Sequence, residues 1–107
     1  MLLFSMSLFA QTEMKLYNTC ITEDKDTTET QGKYLFLISE EKDGTNFLVL
    51  ENNRVVMDKT YVLYKDVRSI ETVTVYKLGK SFYIYVYDDR IVTHDYYYRT
   101  FNTFLNK

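Results

Sequence analysis

A hairpin in residues 73–87 constrains the fold of this chain more than any other segment. Small or aliphatic side chains alternate with polar or tyrosine side chains on both sides of Gly79, which is the pattern of two half-buried strands. A Gly-Lys pair between such runs predicts a two-residue loop, because Gly79 can adopt the positive φ of a primed turn. The predicted pairs are Val75 with Ile84 and Val73 with Val86 on one face, and Tyr76 with Tyr83 and Thr74 with Tyr85 on the other.

Further short strands are predicted along the rest of the chain. The strand segments are 14–21, 33–39, 47–50, 55–57, 60–64 and 91–93, and the run 33–39 is apolar enough to be buried on both faces. Turn signals at Asp43-Gly44, Asn52-Asn53 and Asp88-Asp89 separate several of them. We therefore predict an all-β fold, a small antiparallel meander that closes as a barrel or sandwich of six to eight strands.

Two segments are harder to assign from sequence. Residues 22–32 contain only polar residues and glycine, with several acidic ones, which predicts a mobile acidic loop or a long hairpin connection. After Asp95, aromatic residues recur at spacings of three and four, which favours a short C-terminal helix or an irregular packed tail with Asp95 as N-cap. The alternative is a last strand, because Tyr, Thr and Asn are poor helix formers.

Length and composition predict one domain over residues 11–107. Aromatic residues make up 17% of the 107 residues, which supplies enough apolar surface to order the chain. The net charge of -2 does not favour nucleic acid as a partner. Residues 1–10 are nearly all apolar and resemble the end of a secretory signal, with an apolar tail as the alternative. This predicts a secreted or periplasmic protein, with a cytoplasmic one as the alternative, and no membrane span because the run is short.

The sequence offers little for catalysis. His94 is the single histidine and Cys20 the single cysteine, so neither a nucleophile–histidine pair nor a metal site can be assembled with the usual spacing. We refer to the hairpin face that carries Tyr76, Tyr83 and Tyr85 as the tyrosine face. If Asp88-Asp89 is the turn, His94 falls opposite Tyr83 on this face. We predict no enzyme activity, no cofactor and no metal.

The tyrosine face of the hairpin is the best candidate for a binding surface. Tyrosine supplies rigid amphipathic area at low entropic cost, which suits recognition of a protein, a peptide or a glycan. The predicted site residues are Tyr76, Tyr83, Tyr85, Tyr87, Arg90 and His94. The hypothesis is a monomeric or weakly homo-oligomeric binding module. The alternative is a structural or self-assembling subunit in which the tyrosine face is packed core.

Residues 64–71, which read Tyr-Lys-Asp-Val-Arg-Ser-Ile-Glu, precede the hairpin and the aromatic tail. In its hydrophobic spacing, this C-terminal half resembles the small barrels of the pleckstrin-homology and GRAM type. The resemblance implies a barrel closed by a terminal helix, with peptide binding as a further implication. It does not extend to lipid binding, because the family's cationic pocket has no counterpart in this sequence.

Overall fold

Eight antiparallel strands form a closed barrel in the computed structural model, which describes residues 12–67 and 72–107. The strands are β1 (Thr12–Glu23), β2 (Thr27–Glu41), β3 (Gly44–Glu51), β4 (Arg54–Val67), β5 (Val73–Leu78), β6 (Phe82–Tyr87), β7 (Ile91–Asp95) and β8 (Thr100–Leu105). Each strand pairs with the next, and β8 returns to pair with β1. The predicted all-β antiparallel meander is confirmed, and its closure is that of a barrel.

The closing ladder between β1 and β8 is short. It runs from Thr19 opposite Leu105 to Glu23 opposite Phe101, so it uses only the second half of β1. Among the described residues, the first half of β1 pairs with β2 alone. Closure therefore covers most strand edges, as a barrel does, but no other strand of the described residues pairs with the edge of the first half of β1.

Aromatic rings fill the inside of the barrel. The inward-facing aromatic side chains are Tyr17, Tyr34, Phe36, Phe47, Tyr61, Tyr76, Phe82 and Phe104. Phe47 is fully buried and contacts the rings of Tyr61 and Tyr76 edge to face, at centroid distances of 5.4 and 5.1 Å. An eight-stranded barrel is just wide enough for side chains to fill, and here rings occupy much of that space. Burial raises the pKa of Tyr17 to about 12, as expected for a phenol removed from water.

The register predicted for the 73–87 hairpin is wrong by one residue. Leu78 pairs with Phe82, which leaves three loop residues instead of two, and Gly79 has the expected positive φ of 65°. A shift of one residue moves every side chain of a strand to the opposite face. Consequently Tyr76 pairs with Ile84 inside the barrel, whereas Val75 is on the outer face opposite Tyr85, where it is nevertheless buried. The longer loop places Leu78 in the interior and the Lys77 side chain outside. In the predicted register, the Lys77 ammonium would have been directed into the barrel.

The polar segment 22–32 lies mostly in a hairpin and not in the long loop that the sequence predicted. β1 continues to Glu23 and β2 begins at Thr27, so only residues 24–26 remain as a turn. Within this turn the Asp24 carboxylate accepts a hydrogen bond from the Asp26 amide at 3.0 Å. The threonines on both sides extend the ladder, because β-branched side chains suit a strand even where nothing is buried.

The C-terminal segment is a strand, so the favoured helix is wrong and the alternative is confirmed. Asp95 is the last residue of β7, and its carboxylate accepts hydrogen bonds from the amides of Tyr97 and Tyr98 at 3.0 and 3.2 Å. The capping chemistry expected of Asp95 is therefore present, but it closes a turn. Arg99 adopts a positive φ of 54° and reverses the chain into β8, which completes the barrel.

The other turns follow their sequence signals closely. Asn52 and Asn53 have φ values of 51° and 69°, and Glu51 lies opposite Arg54 as predicted. The Asp88-Asp89 turn is also confirmed, and the His94–Tyr83 pairing predicted from it is observed. The Asp43-Gly44 signal is displaced, since Gly44 is the first residue of β3.

The segments 55–57 and 60–64 belong to one continuous strand, β4. In the run 33–39, burial alternates between full and partial, so only one face is fully buried.

The proposed signal at residues 1–10 and part of the segment 64–71 lie outside the described residues. In the described part of the chain, no helix is long and apolar enough to cross a membrane.

Candidate functional site: an outer aromatic surface

The outer wall of the barrel carries a continuous group of aromatic side chains around β6 and β7. We refer to it as the outer aromatic surface, and its members are Tyr64, Tyr83, Tyr85, His94, Tyr96 and Phe101. Ladder pairing brings three of them together, because Tyr83 lies opposite His94 and His94 lies opposite Phe101. Side chains that pair directly across antiparallel strands share a face, so these three strands build one platform.

Tyr83 is the centre of this surface. Its ring contacts Tyr64 and Tyr96 edge to face, at centroid distances of 5.6 and 5.2 Å, and lies 6.4 Å from Tyr85. Tyr64 and Tyr96 remain about half exposed at 55% and 51%. The phenols are therefore held in place by neighbouring rings and still present area to solvent, which is the condition for a rigid recognition surface.

His94 lies between two rings, stacked on Phe101 and tilted against Tyr96. Its imidazole lies 3.7 Å from the Phe101 ring at an interplanar angle of 17°, and 3.8 Å from the Tyr96 ring. The side chain is buried although it lies on the outer face, because these rings cover it. Burial lowers the pKa of His94, and the neighbouring Asp95 carboxylate opposes that shift.

The burial of His94 predicts a stability that depends on pH. The unfolded chain binds a proton near pH 6.5, whereas the folded protein resists protonation, so the free energy of unfolding should fall as the pH drops below about 6.5. His94→Phe, which preserves the stack, should remove this dependence. Urea unfolding of both proteins at about pH 7.5 and pH 5.5 measures it. An equal loss of stability in the variant would contradict the assignment to His94.

Tyr85 is the most perturbed phenol of the surface. Burial raises its pKa, and a hydrogen bond with the Tyr96 side chain and the proximity of the Tyr83 and Tyr87 phenols raise it further. The hydroxyl therefore stays protonated throughout the physiological range. It can donate or accept a hydrogen bond to a bound molecule, but it supplies no charge.

Cations border the surface on two sides. The Lys77 ammonium lies 4.9 Å from the centre of the Tyr64 ring, and the Arg90 guanidinium lies 3.9 Å from that of Tyr87. Arg90 also forms an ion pair with Asp89 at 2.8 Å. Cation–π contacts of this kind hold the long side chains against the rings, so Tyr87 and Arg90 extend the surface toward the 88–90 turn.

The structure brings most of the predicted site residues to one face. Tyr83, Tyr85, Tyr87, Arg90 and His94 lie on the outer side of the wall as expected. Tyr76 does not join them. The one-residue difference in register directs its side chain to the barrel interior, where it contacts Phe47. Its place on the outer face is taken by a lysine.

Sequence reasoning missed three members of the surface: Tyr64, Tyr96 and Phe101. Tyr64 belongs to β4 and lies at an irregularity in the pairing of β4 with β5, between Leu63 and Lys65. No local sequence pattern predicts that position. The spacing of Phe101 from Tyr97 fits one face of a helix, which favours the helix that the structure does not contain in this segment. The position of Phe101 opposite His94 could have been found by extending the Asp88-Asp89 meander through one more strand.

A second feature is a small cavity near the end of the barrel that carries the 24–26 and 52–53 turns. It measures about 240 Å³, and Cys20, Thr30, Tyr34, Glu51 and Asn102 are among its lining residues. The Asn102 side-chain oxygen accepts hydrogen bonds from the hydroxyl of Thr22 at 2.7 Å and from the Cys20 thiol at 3.9 Å. Burial raises the pKa of the Cys20 thiol, which keeps it protonated and unreactive.

No cluster of metal-ligating side chains is present in residues 12–67 and 72–107. No protein-family model, no curated protein and no solved structure matches this chain. The features that bear on function are therefore the outer aromatic surface and the barrel that supports it.

Proposed function

We propose that this barrel is a non-catalytic binding module that recognises a peptide segment of a partner protein through the outer aromatic surface. The observation that supports the proposal is the contiguity of the surface. Six aromatic side chains from β4, β6, β7, the 96–99 turn and β8 contact one another on the outside of a barrel whose inside is already occupied. A surface of this composition is typical of recognition sites that use tyrosine as a rigid anchor.

The barrel interior has little room for a ligand, so the outer surface is the better candidate for binding. Small-molecule sites in barrels are usually cavities of about 300–1,000 Å³ that are lined mainly by apolar side chains. The inner cavity here measures about 240 Å³ and includes Glu51, Asn102 and two threonines among its lining residues. A carrier of larger apolar ligands needs more space than Phe47 and Tyr61 leave at the centre of the barrel.

The ring geometry favours a peptide over a glycan. Sugar recognition depends on flat ring faces that are open to solvent, whereas Tyr83 packs its edges and faces against Tyr64 and Tyr96. Such interlocked rings present edges, hydroxyls and shallow clefts, which suit side chains and backbone amides of a peptide. Lys77 at the border favours a peptide that carries a carboxylate.

We also propose that the protein is exported, and one observation supports each of the two proposals, the absence of catalysis and the export. His94 contacts the rings of Tyr96 and Phe101, whereas the Cys20 thiol points toward the barrel interior, so the two reactive side-chain types are on opposite faces of the wall. Catalysis by a nucleophile–histidine pair needs both within hydrogen-bond reach. The proposal of export depends on the apolar run in residues 1–10 of the sequence.

Selection from a random peptide library displayed on phage tests the proposal. Selected peptides should bind the wild-type protein and lose about tenfold or more in affinity to Tyr83→Ala and to Tyr96→Ala, because central aromatic anchors dominate such interfaces. Calorimetric titration with the synthetic peptides measures the change. Apolar and acidic residues should be enriched among the selected sequences.

Tyr98→Ala is the matched control, because Tyr98 is a highly exposed tyrosine that contacts Tyr97 and is not part of the outer aromatic surface. Peptide affinity should be unchanged in this variant. If the peptides bind Tyr83→Ala as tightly as the wild type, the outer aromatic surface is not the site. If only oligosaccharides bind and Tyr83→Ala abolishes that binding, the site stands and the partner class is a glycan.

A further inference from the structure

The open edge segment of β1 leads to an inference that is independent of the outer aromatic surface. Thr12–Tyr17 pairs with β2 on one side, and among the described residues no strand pairs with it on the other, because β8 ends at Leu105. A groove of about 490 Å³ runs beside this segment, between Leu16 and the 88–90 turn. We propose that this edge pairs with β1 of a second copy of the chain and joins two barrels through one continuous sheet.

The direction of the backbone groups selects which residues can pair. The Leu16 carbonyl accepts a hydrogen bond from the Asn106 side-chain amide at 3.2 Å, so it points away from β2 and toward the open edge. Successive residues of a strand direct their amide and carbonyl groups to opposite sides, so Met14 and Thr12 share the direction of Leu16. Pairing across this edge therefore uses the backbone groups of Thr12, Met14 and Leu16, of which Met14 is the middle residue.

The charge pattern supports a two-fold axis at Met14. In that antiparallel register, Glu13 of each copy lies opposite the partner's Lys15, and Lys15 lies opposite the partner's Glu13. Both side chains share a face, since they pair with Ile38 and Phe36 of β2, and within one chain they already form an ion pair at 3.1 Å. Association would convert each local pair into an alternating square of four charges.

Neighbouring registers lack this complementarity. An axis at Glu13 or at Lys15 places two like charges opposite each other. An axis at Leu16 places Lys15 opposite Tyr17 and leaves the carboxylate without a partner. The open segment is thus self-complementary in one register, as an isologous interface requires.

The outer side chains of the segment supply apolar area for this contact. Met14 is 69% exposed and Leu16 is 52% exposed, and both lie on the face opposite to Glu13 and Lys15. In the proposed dimer Met14 meets its own copy, and Leu16 lies opposite Thr12 of the partner. Removal of this area from water adds to the backbone hydrogen bonds of an otherwise uncovered strand edge.

Sedimentation equilibrium of the full chain and of charge variants tests the proposal. The wild-type protein should form a dimer at concentrations up to about 1 mM. Lys15→Glu should weaken the dimer about tenfold, because two symmetric pairs become repulsive, and Glu13→Lys should do the same. The double variant E13K/K15E should restore the wild-type affinity. Far-UV circular dichroism confirms that each variant remains folded.

Two additional variants address the backbone pairing and the position of the axis. Met14→Pro removes an amide that points to the open edge and leaves the ladder with β2 intact, so it should abolish the dimer. In a Cys20→Ser background, Met14→Cys should form an intermolecular disulfide rapidly under mild oxidation. Val62→Cys is the control in the same background, because Val62 is 56% exposed on β4, away from this edge.

Three results would overturn the proposal. The first is a wild-type chain that sediments as a monomer throughout the concentration range. The second is a dimer whose affinity is the same in Lys15→Glu and in the double variant. The third is disulfide formation at Val62→Cys as fast as at Met14→Cys.

Discussion

Phe47→Ala is expected to destabilise the barrel by about 3–5 kcal/mol, because it removes a fully buried ring and leaves a cavity. Phe47 lies between Tyr61 and Tyr76, so the loss includes two edge-to-face contacts between rings as well as buried area. A domain of this size has a total stability of about 5–15 kcal/mol. The variant should therefore be marginally folded or unfolded at 25 °C.

Urea unfolding followed by circular dichroism measures this effect. The free energy of unfolding should depend on urea concentration with the same slope in the variant and in the wild type. Phe47→Leu is the graded control and should cost about 1–2 kcal/mol, because leucine fills much of the same volume. Tyr97→Ala is the surface control and should change stability by less than about 0.5 kcal/mol, since Tyr97 is 77% exposed. A loss of less than 1 kcal/mol in Phe47→Ala would contradict the packing described for the barrel interior.

Gly44→Ala should be the most damaging substitution of a small residue. Gly44 has a φ of 146°, and a Cβ atom there would lie 2.4 Å from the carbonyl oxygen of Tyr61. That oxygen is part of the backbone of β4 and cannot move without disturbing the ladder between β3 and β4. We expect a loss of about 3 kcal/mol or more, because the added atom combines a backbone clash with a strained φ.

Gly79→Ala is the matched control. Gly79 also has a positive φ, 65°, but a Cβ atom there would meet nothing within 4 Å. Its replacement should therefore cost only the conformational penalty of about 1 kcal/mol that an L-residue has in the left-handed region. Thermal unfolding of both variants separates the two contributions. Equal losses in the two variants would show that the contact with Tyr61 is not significant.

The candidate site was partly accessible from sequence because its core is a local structure. Alternation in β6 placed Tyr83, Tyr85 and Tyr87 on one face, and the 88–89 turn placed His94 opposite Tyr83. These predictions depend on neighbouring strands and a short turn, for which side-chain period and turn chemistry are sufficient. Tyr64 joins the surface from a strand that is distant in sequence, and nothing local encodes that contact.

The errors have a common physical origin. The face of Tyr76 depends on whether the loop at Gly79 has two or three residues, and local turn chemistry permits both. The polar segment 22–32 and the segment after Asp95 have weak intrinsic preferences for any one secondary structure. Pairing with neighbouring strands therefore determines their conformation. Tertiary pairing prevails in such segments because each added ladder residue satisfies backbone hydrogen bonds.

By itself, the sequence determined the all-β class, the tight turns at Asn52-Asn53 and Asp88-Asp89, and the outward direction of the β6 tyrosines. Only the tertiary structure decided that β8 closes a barrel on β1, that Tyr76 lies inside, and that the first half of β1 has an edge without a strand partner among the described residues. The division follows the range of the interactions. Alternation and turn residues act over a few positions, whereas closure, register and strand edges depend on which distant segments meet.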